Sequence, residues 1–367
     1  MREFREEGYQ LTYPDEIGFA FNPCLIIQSG SGKVTSLDIT MSDGEKKQRV
    51  IMQSFMNEVY ADVREYIQGF FDSLSFGNLE YTSIVKSQRG KLISFTILMQ
   101  NDEDTMKTIS FNVFYIWGAL KIGGKETYNG HKVLNWFRGF PFSFGLFCKG
   151  GGSILFSKDG VADRYINVDE PGVYDVPMTD EDDAKMYYLI HDCSGAFQEV
   201  LFDNTFDMTF RFLGGGTHTE KLRINIVDGD ESGYYLRWID RHGFYCYYLF
   251  KKGVESRKIT RDSVFMRNNL LAYDMSYGYQ GYTGRQQQMS REDTIPVCAP
   301  LVDSDTFDML MDIATSPCVD LFAGYDADNR PQWIAVTINE GTYKKTKAVL
   351  QDFVTNIVMP EVQIQKL

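Results

Sequence analysis

The sequence lacks most of the features that mark secreted, metal-binding or membrane-spanning proteins. It has six cysteines without a C-x-x-C pair, which argues against a disulfide framework and predicts buried free thiols. It contains no N-x-S/T sequon, no cleavable signal-like start and no long apolar run, so we expect a soluble protein made in a reducing cytosol, without a membrane partner. Its histidines are isolated and fit no zinc-binding spacing, so no metal site is predicted at His131, His191, His218 or His242.

A basic run is also missing. The chain has 37 lysine and arginine residues against 50 acidic residues, a net charge of −13, and the basic residues are scattered. Because a negative surface repels the phosphate backbone, we expect no nucleic-acid partner.

No short motif predicts catalysis or a cofactor. The stretch Gly30–Lys33 falls short of a phosphate-binding loop, because Ile27 stands where that loop needs its first glycine. Asp228–Gly233 resembles the start of a calcium-binding loop, but Ile239 stands where the bidentate glutamate belongs. We therefore predict a protein that is not an enzyme and has no catalytic, cofactor-binding or metal-binding residues. A glycan-degrading enzyme stays open as a hypothesis, since 50 acidic residues offer many carboxylate pairs.

Aromatic residues and glycine are what the sequence has in excess. With 27 Phe, 22 Tyr and 32 Gly in 367 residues, the composition favours many short strands joined by tight turns. The predicted fold is mainly β, with several antiparallel sandwich-like or barrel-like domains. We expect an N-terminal β-domain with a packed helix over 1–128, a central β-sandwich-like domain over 129–215, and a C-terminal β-rich domain over 216–367. Alternating apolar residues predict a strand over Val34–Met41, with Val50–Phe55 as its partner.

Two helices have clear signals. An apolar stripe with Asn57 as N-cap predicts one long helix over about 57–74. Ser304 is the expected N-cap of a short helix over about 304–315. The segment 347–359 fits both a helical stripe and a strand, and its β-branched residues favour a strand.

The most informative stretch is the aromatic segment Tyr234–Phe250. Two aromatic runs flank the polar break Asp240–Gly243, where glycine supplies a positive φ, and this pattern predicts a β-hairpin. Neither face of the hairpin is plainly polar, so both faces need cover. A partner, a neighbouring domain or the same chain could supply that cover, and the sequence leaves these alternatives open. The residues that we assign to an interface are Tyr235, Trp238, Phe244, Tyr245 and Tyr247.

A second aromatic stretch, 273–288, is rich in Tyr, Gly and Gln and has no usable periodicity, so we predict a long surface loop. Exposed tyrosine rings can stack on sugar rings. The alternative function is therefore a carbohydrate-binding module or the recognition of host-surface glycan, with Tyr277, Tyr279 and Tyr282 as the contacts.

Several stretches resemble virion proteins of tailed phages and prophages of Bacteroidetes, and together they span most of the chain. They are Phe21–Pro23 (FNP), Val59–Phe71 (VYADVREYIQGFF), Phe202–Phe210 (FDNTFDMTF), Tyr235–Phe250 and Met359–Gln365 (MPEVQIQ). The resemblance implies a structural component of the tail or baseplate, similar to the distal-tail or hub proteins, which are β-rich and assemble as rings.

The resemblance also implies partners and a location. Copies of the chain would form a ring-like homo-oligomer, and other tail or baseplate proteins would dock on it. The protein would be assembled in the host cytoplasm and reside in the virion tail. No catalytic residues and no cofactor come with the resemblance.

Overall fold

A computed structural model describes most of the chain. The described residues are 1–6, 8–30, 34–72, 76, 79–101, 106–119, 133–148, 152–158, 161–168, 170, 172–178, 187–192, 205–210, 220–229, 232–265, 285–339, 341, 343–360 and 365–366. They confirm a mainly β fold with several antiparallel sheets and little helix.

The chain divides into two compact units. The first consists of Met1–Gly229 with Ile239–Tyr247, and the second of Asp230–Trp238 with Tyr248–Leu367. The domain boundaries expected near residues 128 and 215 lie outside the described residues, so they stay predictions. The aromatic hairpin belongs to both units, since its turn end lies in the first and its open end in the second.

Among its described residues, the first unit contains strands β1 to β18 and one helix, α1 (Arg64–Gln68). In chain order the strands are β1 (Arg2–Glu6), β2 (Tyr9–Tyr13), β3 (Ile17–Phe19), β4 (Leu25–Ser29), β5 (Val34–Ser42), β6 (Lys47–Gln53), β7 (Val59–Asp62), β8 (Val85–Lys86), β9 (Gly90–Asn101), β10 (Met106–Ile116), β11 (Val133–Phe137), β12 (Phe142–Cys148), β13 (Gly152–Lys158), β14 (Val161–Val168), β15 (Gly172–Met178), β16 (Tyr187–Asp192), β17 (Thr205–Phe210) and β18 (Glu220–Val227).

These strands form four sheets. Their strand orders are β1-β2-β4-β7, β3-β10-β9-β5-β6, β11-β18-β17-β16-β13-β14 and β12-β15-β8. In the second of these sheets, the predicted pairing of β5 with β6 is confirmed, with Ile39 opposite Val50. Leu37, Ile39 and Met41 are buried while their neighbours on β5 are more exposed, as expected for a strand with one face on a core.

The long helix predicted over about 57–74 is much shorter in the structure. Its helical part is α1, of five residues, and the preceding residues Val59–Asp62 form strand β7 against β4. Asn57 is a turn residue with a φ of +65° instead of an N-cap. The apolar residues at 59, 63 and 67 fit a helical stripe, but Val59 and Ala61 also alternate as in a strand, and pairing with β4 satisfies their backbone groups.

The second unit is one large sheet with a helix. Its strands are β19 (Tyr234–Ile239), β20 (Tyr245–Lys252), β21 (Ser256–Phe265), β22 (Arg285–Val302), β23 (Val319–Tyr325), β24 (Pro331–Ile338), β25 (Gln351–Val358) and β26 (Gln365–Lys366). The strand order is β20-β19-β23-β24-β25-β22-β21, β26 pairs with β22, and β20 also pairs with β22. The predicted hairpin is thus present as β19 and β20.

The short helix and the last strand agree with the sequence. Helix α2 (Ser304–Met311) continues into a 3-10 turn, Asp312–Ala314. Buried and exposed residues alternate along β25, which confirms the strand favoured for 347–359. None of the helices in the described part of the chain is long and apolar enough to cross a membrane.

The N-cap of α2 differs by one residue from the expected one. The side chain of Asp303 accepts a hydrogen bond from the Thr306 N–H at 2.8 Å, so Asp303 and not Ser304 is the cap. Aspartate also complements the positive end of the helix dipole.

Replacing Asp303 with Ala should lower the free energy of unfolding by about 1 kcal/mol, because the Thr306 N–H loses its acceptor. Urea unfolding followed by circular dichroism measures this loss. Ser304→Ala is the matched control, and equal losses in the two variants would contradict the assignment of the cap.

Candidate functional site

The predicted interface residues are all inside the protein. Each is at most 3% exposed: Tyr235, Trp238, Phe244, Tyr245 and Tyr247. The cover on both faces of the hairpin therefore comes from this chain, which is one of the alternatives that the sequence leaves open.

In the second unit, the open end of the hairpin packs on aromatic rings. The Tyr235 ring lies 6.1 Å from the rings of Phe322 and Trp333. Arg237 is buried beside it, with its Nε 2.8 Å from Asp320 Oδ2 and its guanidinium 4.2 Å from the Trp333 ring centroid. A carboxylate and an aromatic face together compensate the charge that burial takes out of water.

In the first unit, Asp240 organises the turn of the hairpin. Its Oδ1 accepts hydrogen bonds from the backbone N–H groups of His242, at 3.0 Å, and Phe244, at 2.8 Å. Its Oδ2 lies 3.0 Å from His242 Nδ1. Gly243 has a φ of +83°, as the sequence predicts for this break. An aspartate side chain that bonds the following backbone is a common means of closing such a turn.

Beyond the turn, Phe244 completes an apolar core of the first unit. The core consists of Phe19, Phe114, Ile116, Phe147, Val173 and Phe244. Gly145 lies directly against this ring, since a Cβ at Gly145 would be 2.5 Å from a Phe244 ring carbon. The close approach requires glycine at this position.

A buried ion pair lies next to the hairpin in the same unit. Arg89 is fully buried and pairs with Asp175, donates from Nε to Ser87 Oγ at 2.8 Å, and places its guanidinium 4.2 Å from the Tyr245 ring centroid. Burial alone would lower the pKa of Arg89, but the charge of Asp175 and the nearby tyrosines raise it. The arginine is therefore charged in the folded protein.

The hydroxyl groups of the hairpin tyrosines are also held. Tyr245 donates to the Phe76 carbonyl oxygen at 2.6 Å. The Tyr247 hydroxyl lies 2.7 Å from Ser143 Oγ and 3.2 Å from the Tyr81 hydroxyl. These buried polar atoms are satisfied within the unit, so the turn end of the hairpin acts as part of the scaffold.

The surface of the first unit carries exposed apolar residues on β6, on β7 and on the turn that joins them. We call them the tip patch, which consists of Ile51, Phe55, Met56 and Tyr60, and these are 52% to 83% exposed. The turn is closed by two backbone hydrogen bonds between Phe55 and Glu58, at 2.8 and 3.0 Å. Met56 and Asn57 both have positive φ, as in a type I′ turn. A methionine in this conformation is strained and exposed, which is typical of a surface with a function.

The surface of the second unit carries a different apolar patch. We call it the aliphatic patch, and it consists of Leu301, Val349, Leu350 and Val354, all exposed. Leu301 has a φ of +52° in a bulge of β22, where its N–H donates to Asp352 Oδ1 at 2.9 Å. Lys344 and Lys347 are exposed on the segment that leads to this patch, and neither forms an ion pair with the residues described.

A buried cysteine lies beside a small cavity of the first unit. Cys24 Sγ is 2.8 Å from the Tyr115 hydroxyl, and the cavity, of about 190 Å³, is also lined by Pro14, Asp15 and Pro23. Burial, the largest influence, raises the pKa of the Cys24 thiol to about 12. The thiol is protonated at neutral pH and is therefore a poor nucleophile.

The predicted glycan contacts belong to the second aromatic stretch, 273–288. Tyr277, Tyr279 and Tyr282 lie outside the described residues, so glycan binding stays a prediction of the sequence. Of the predicted surface loop 273–288, the end Arg285–Gln288 belongs to strand β22.

In comparisons with known proteins, no protein-family model and no curated sequence matches this chain.

Replacing Trp238 with Ala should lower the free energy of unfolding by about 3–5 kcal/mol, because the side chain is fully buried and a cavity would remain. Chemical unfolding measures the loss. Val254→Ala is the control, since Val254 is 86% exposed and its replacement should change stability by less than about 0.5 kcal/mol. A Trp238→Ala protein of normal stability would show that this ring is not part of the core.

Cys24 should resist alkylation in the folded protein near neutral pH, because its thiol is buried and protonated. Cys318 is only partly buried and should react faster than Cys24. Iodoacetamide labelling followed by peptide mass spectrometry measures both, with urea-unfolded protein as the reference for full labelling. Equal labelling rates of the two cysteines in the folded protein would contradict this expectation.

Proposed function

We propose that the chain is a structural protein of a phage tail or baseplate, which assembles with its own copies into a ring and docks neighbouring tail proteins. The observation that carries this proposal is the presence of a separate exposed apolar patch on each unit. The resemblance of several stretches to virion tail proteins gives the assembly its biological context.

Two unlike patches suit a ring. A head-to-tail contact joins two different surfaces, so every copy in a closed ring needs both. The tip patch contains a phenylalanine, a methionine and a tyrosine, whereas the aliphatic patch has two exposed lysines beside it. Contiguous exposed apolar patches on soluble proteins mark interaction sites.

The buried polar groups form contacts that stabilise the fold, and this supports a role without catalysis. Arg89, Asp175 and Asp240 are each committed to contacts that hold the scaffold. The buried thiol of Cys24 is protonated at neutral pH. We therefore include the absence of enzymatic activity in the proposal.

The purified chain should form particles of several copies, ring-shaped in negative-stain electron microscopy and with a matching mass by light scattering. Val349→Asp should reduce the particle mass, because it places a charge in the aliphatic patch. Val254→Asp is the matched control, since both valines are 86% exposed in the second unit.

Mass spectrometry of virions from a phage that encodes the chain gives the second readout. The proposal expects the chain among the tail proteins. A chain that is strictly monomeric over a wide concentration range and missing from the virions would end it.

A further inference from the structure

We infer that strand β6 of one copy pairs with β6 of a second copy, antiparallel and across a two-fold axis, so that two five-stranded sheets become continuous. β6 is the last strand of its sheet and pairs only with β5 among the described strands. This inference goes beyond the proposed ring, because a pair of identical edges is symmetric and joins two copies whether or not a ring forms.

The hydrogen bonds to neighbouring residues show which backbone groups of β6 are free. The Ser54 N–H donates to the Thr35 carbonyl at 2.8 Å, and the Asp43 N–H donates to the Lys46 carbonyl at 3.3 Å. Bonded and non-bonded pairs alternate along an antiparallel ladder. The odd-numbered residues from Lys47 to Gln53 therefore direct their N–H and C=O groups away from β5, towards the open edge.

A pairing in which the two-fold axis passes beside Val50 lets these outward-directed groups bond to those of the second copy. It places Arg49 opposite Ile51 of the second copy, and Lys47 opposite Gln53, so every bonded pair consists of outward-directed residues. No like charges stand opposite each other, which would destabilise the pair. A pairing centred on Arg49 would instead oppose two arginines.

Charge does not protect this edge as it does many others. Lysine and arginine on an edge strand commonly prevent pairing with another chain. Here the charge of Arg49 is balanced by Asp38 on β5, with Nε 2.8 Å from Oδ1. Of the two charged residues on β6, Lys47 forms no ion pair with the described residues.

The pairing covers apolar side-chain surface as well as backbone groups. Ile51 lies on β6 itself and is 52% exposed, and the register places it opposite Arg49 of the second copy, next to the two-fold axis.

Sedimentation velocity of the full chain tests the pairing through Ile51. Ile51→Lys places a second charge opposite Arg49 of the other copy and should weaken self-association by more than about tenfold. Leu92→Lys is the matched control: Leu92 is 48% exposed on the same sheet, but on the central strand β9. Thermal unfolding of both variants checks that each is folded. Equal self-association of the two variants would overturn the inference.

Disulfide trapping gives a positive readout for the register. Val50→Cys places two thiols at the two-fold axis in a non-bonded pair, where the Cα atoms are about 4.5 Å apart. In Met52→Cys the thiols would be about 13 Å apart along the strands, too far for a disulfide. Oxidation should give a covalent dimer of the first variant only, measured by non-reducing electrophoresis against the unsubstituted chain.

The two proposals fail separately. If Val349→Asp reduces the particle mass while oxidation of Val50→Cys gives no covalent dimer, the ring stands and the β6 pairing falls. If Val50→Cys forms the dimer but the unsubstituted chain makes no larger particle, the pairing stands and the ring falls.

Discussion

An apolar hairpin that is covered on both faces is the constraint on which the structure depends. The strands β19 and β20 carry aromatic side chains on each face, and such a ribbon is unstable in water unless both faces are packed. The turn end is packed within the first unit and the open end within the second. A segment late in the chain thereby completes a core that contains Phe19 and Phe114 from its beginning.

Each unit contains a buried arginine that lies between a carboxylate and an aromatic ring. Arg89 pairs with Asp175 over the Tyr245 ring, and Arg237 pairs with Asp320 over the Trp333 ring. A guanidinium is planar, so it can hydrogen-bond a carboxylate along its edge while its face lies on an aromatic ring. In each pair, a carboxylate and an aromatic face together compensate the buried charge.

The aromatic residues of the hairpin are buried in the cores and are not available to a partner. Contacts in an assembly therefore have to come from exposed residues elsewhere. The tip patch and the aliphatic patch both lie next to backbone of unusual conformation, with positive φ at Met56, Asn57 and Leu301. Strain of this kind persists where the surrounding structure enforces it, and it concentrates at functional surfaces. The open edge of β6 adds unpaired backbone groups to the first of these surfaces.

The sequence by itself determined the strands whose patterns were local. Alternation marked β5 and β25, and the aromatic runs around Asp240–Gly243 marked β19 and β20. The signal for a helix over 57–74 was misleading, because apolar residues near β7 satisfy two periodicities and pairing with a distant strand decided between them. Capping by Asp303 instead of Ser304 likewise depended on the backbone conformation at the helix start.

What covers each residue was decided only by the tertiary structure. A two-sided aromatic pattern is the same whether the cover comes from a partner or from the same chain, so the pattern left open whether Tyr235, Trp238 and Phe244 are core or interface residues. No pattern in the sequence marks the tip patch either, since Phe55 and Met56 resemble core residues and only the turn directs them outwards. Burial depends on contacts between residues far apart in the chain, and no local pattern encodes those contacts.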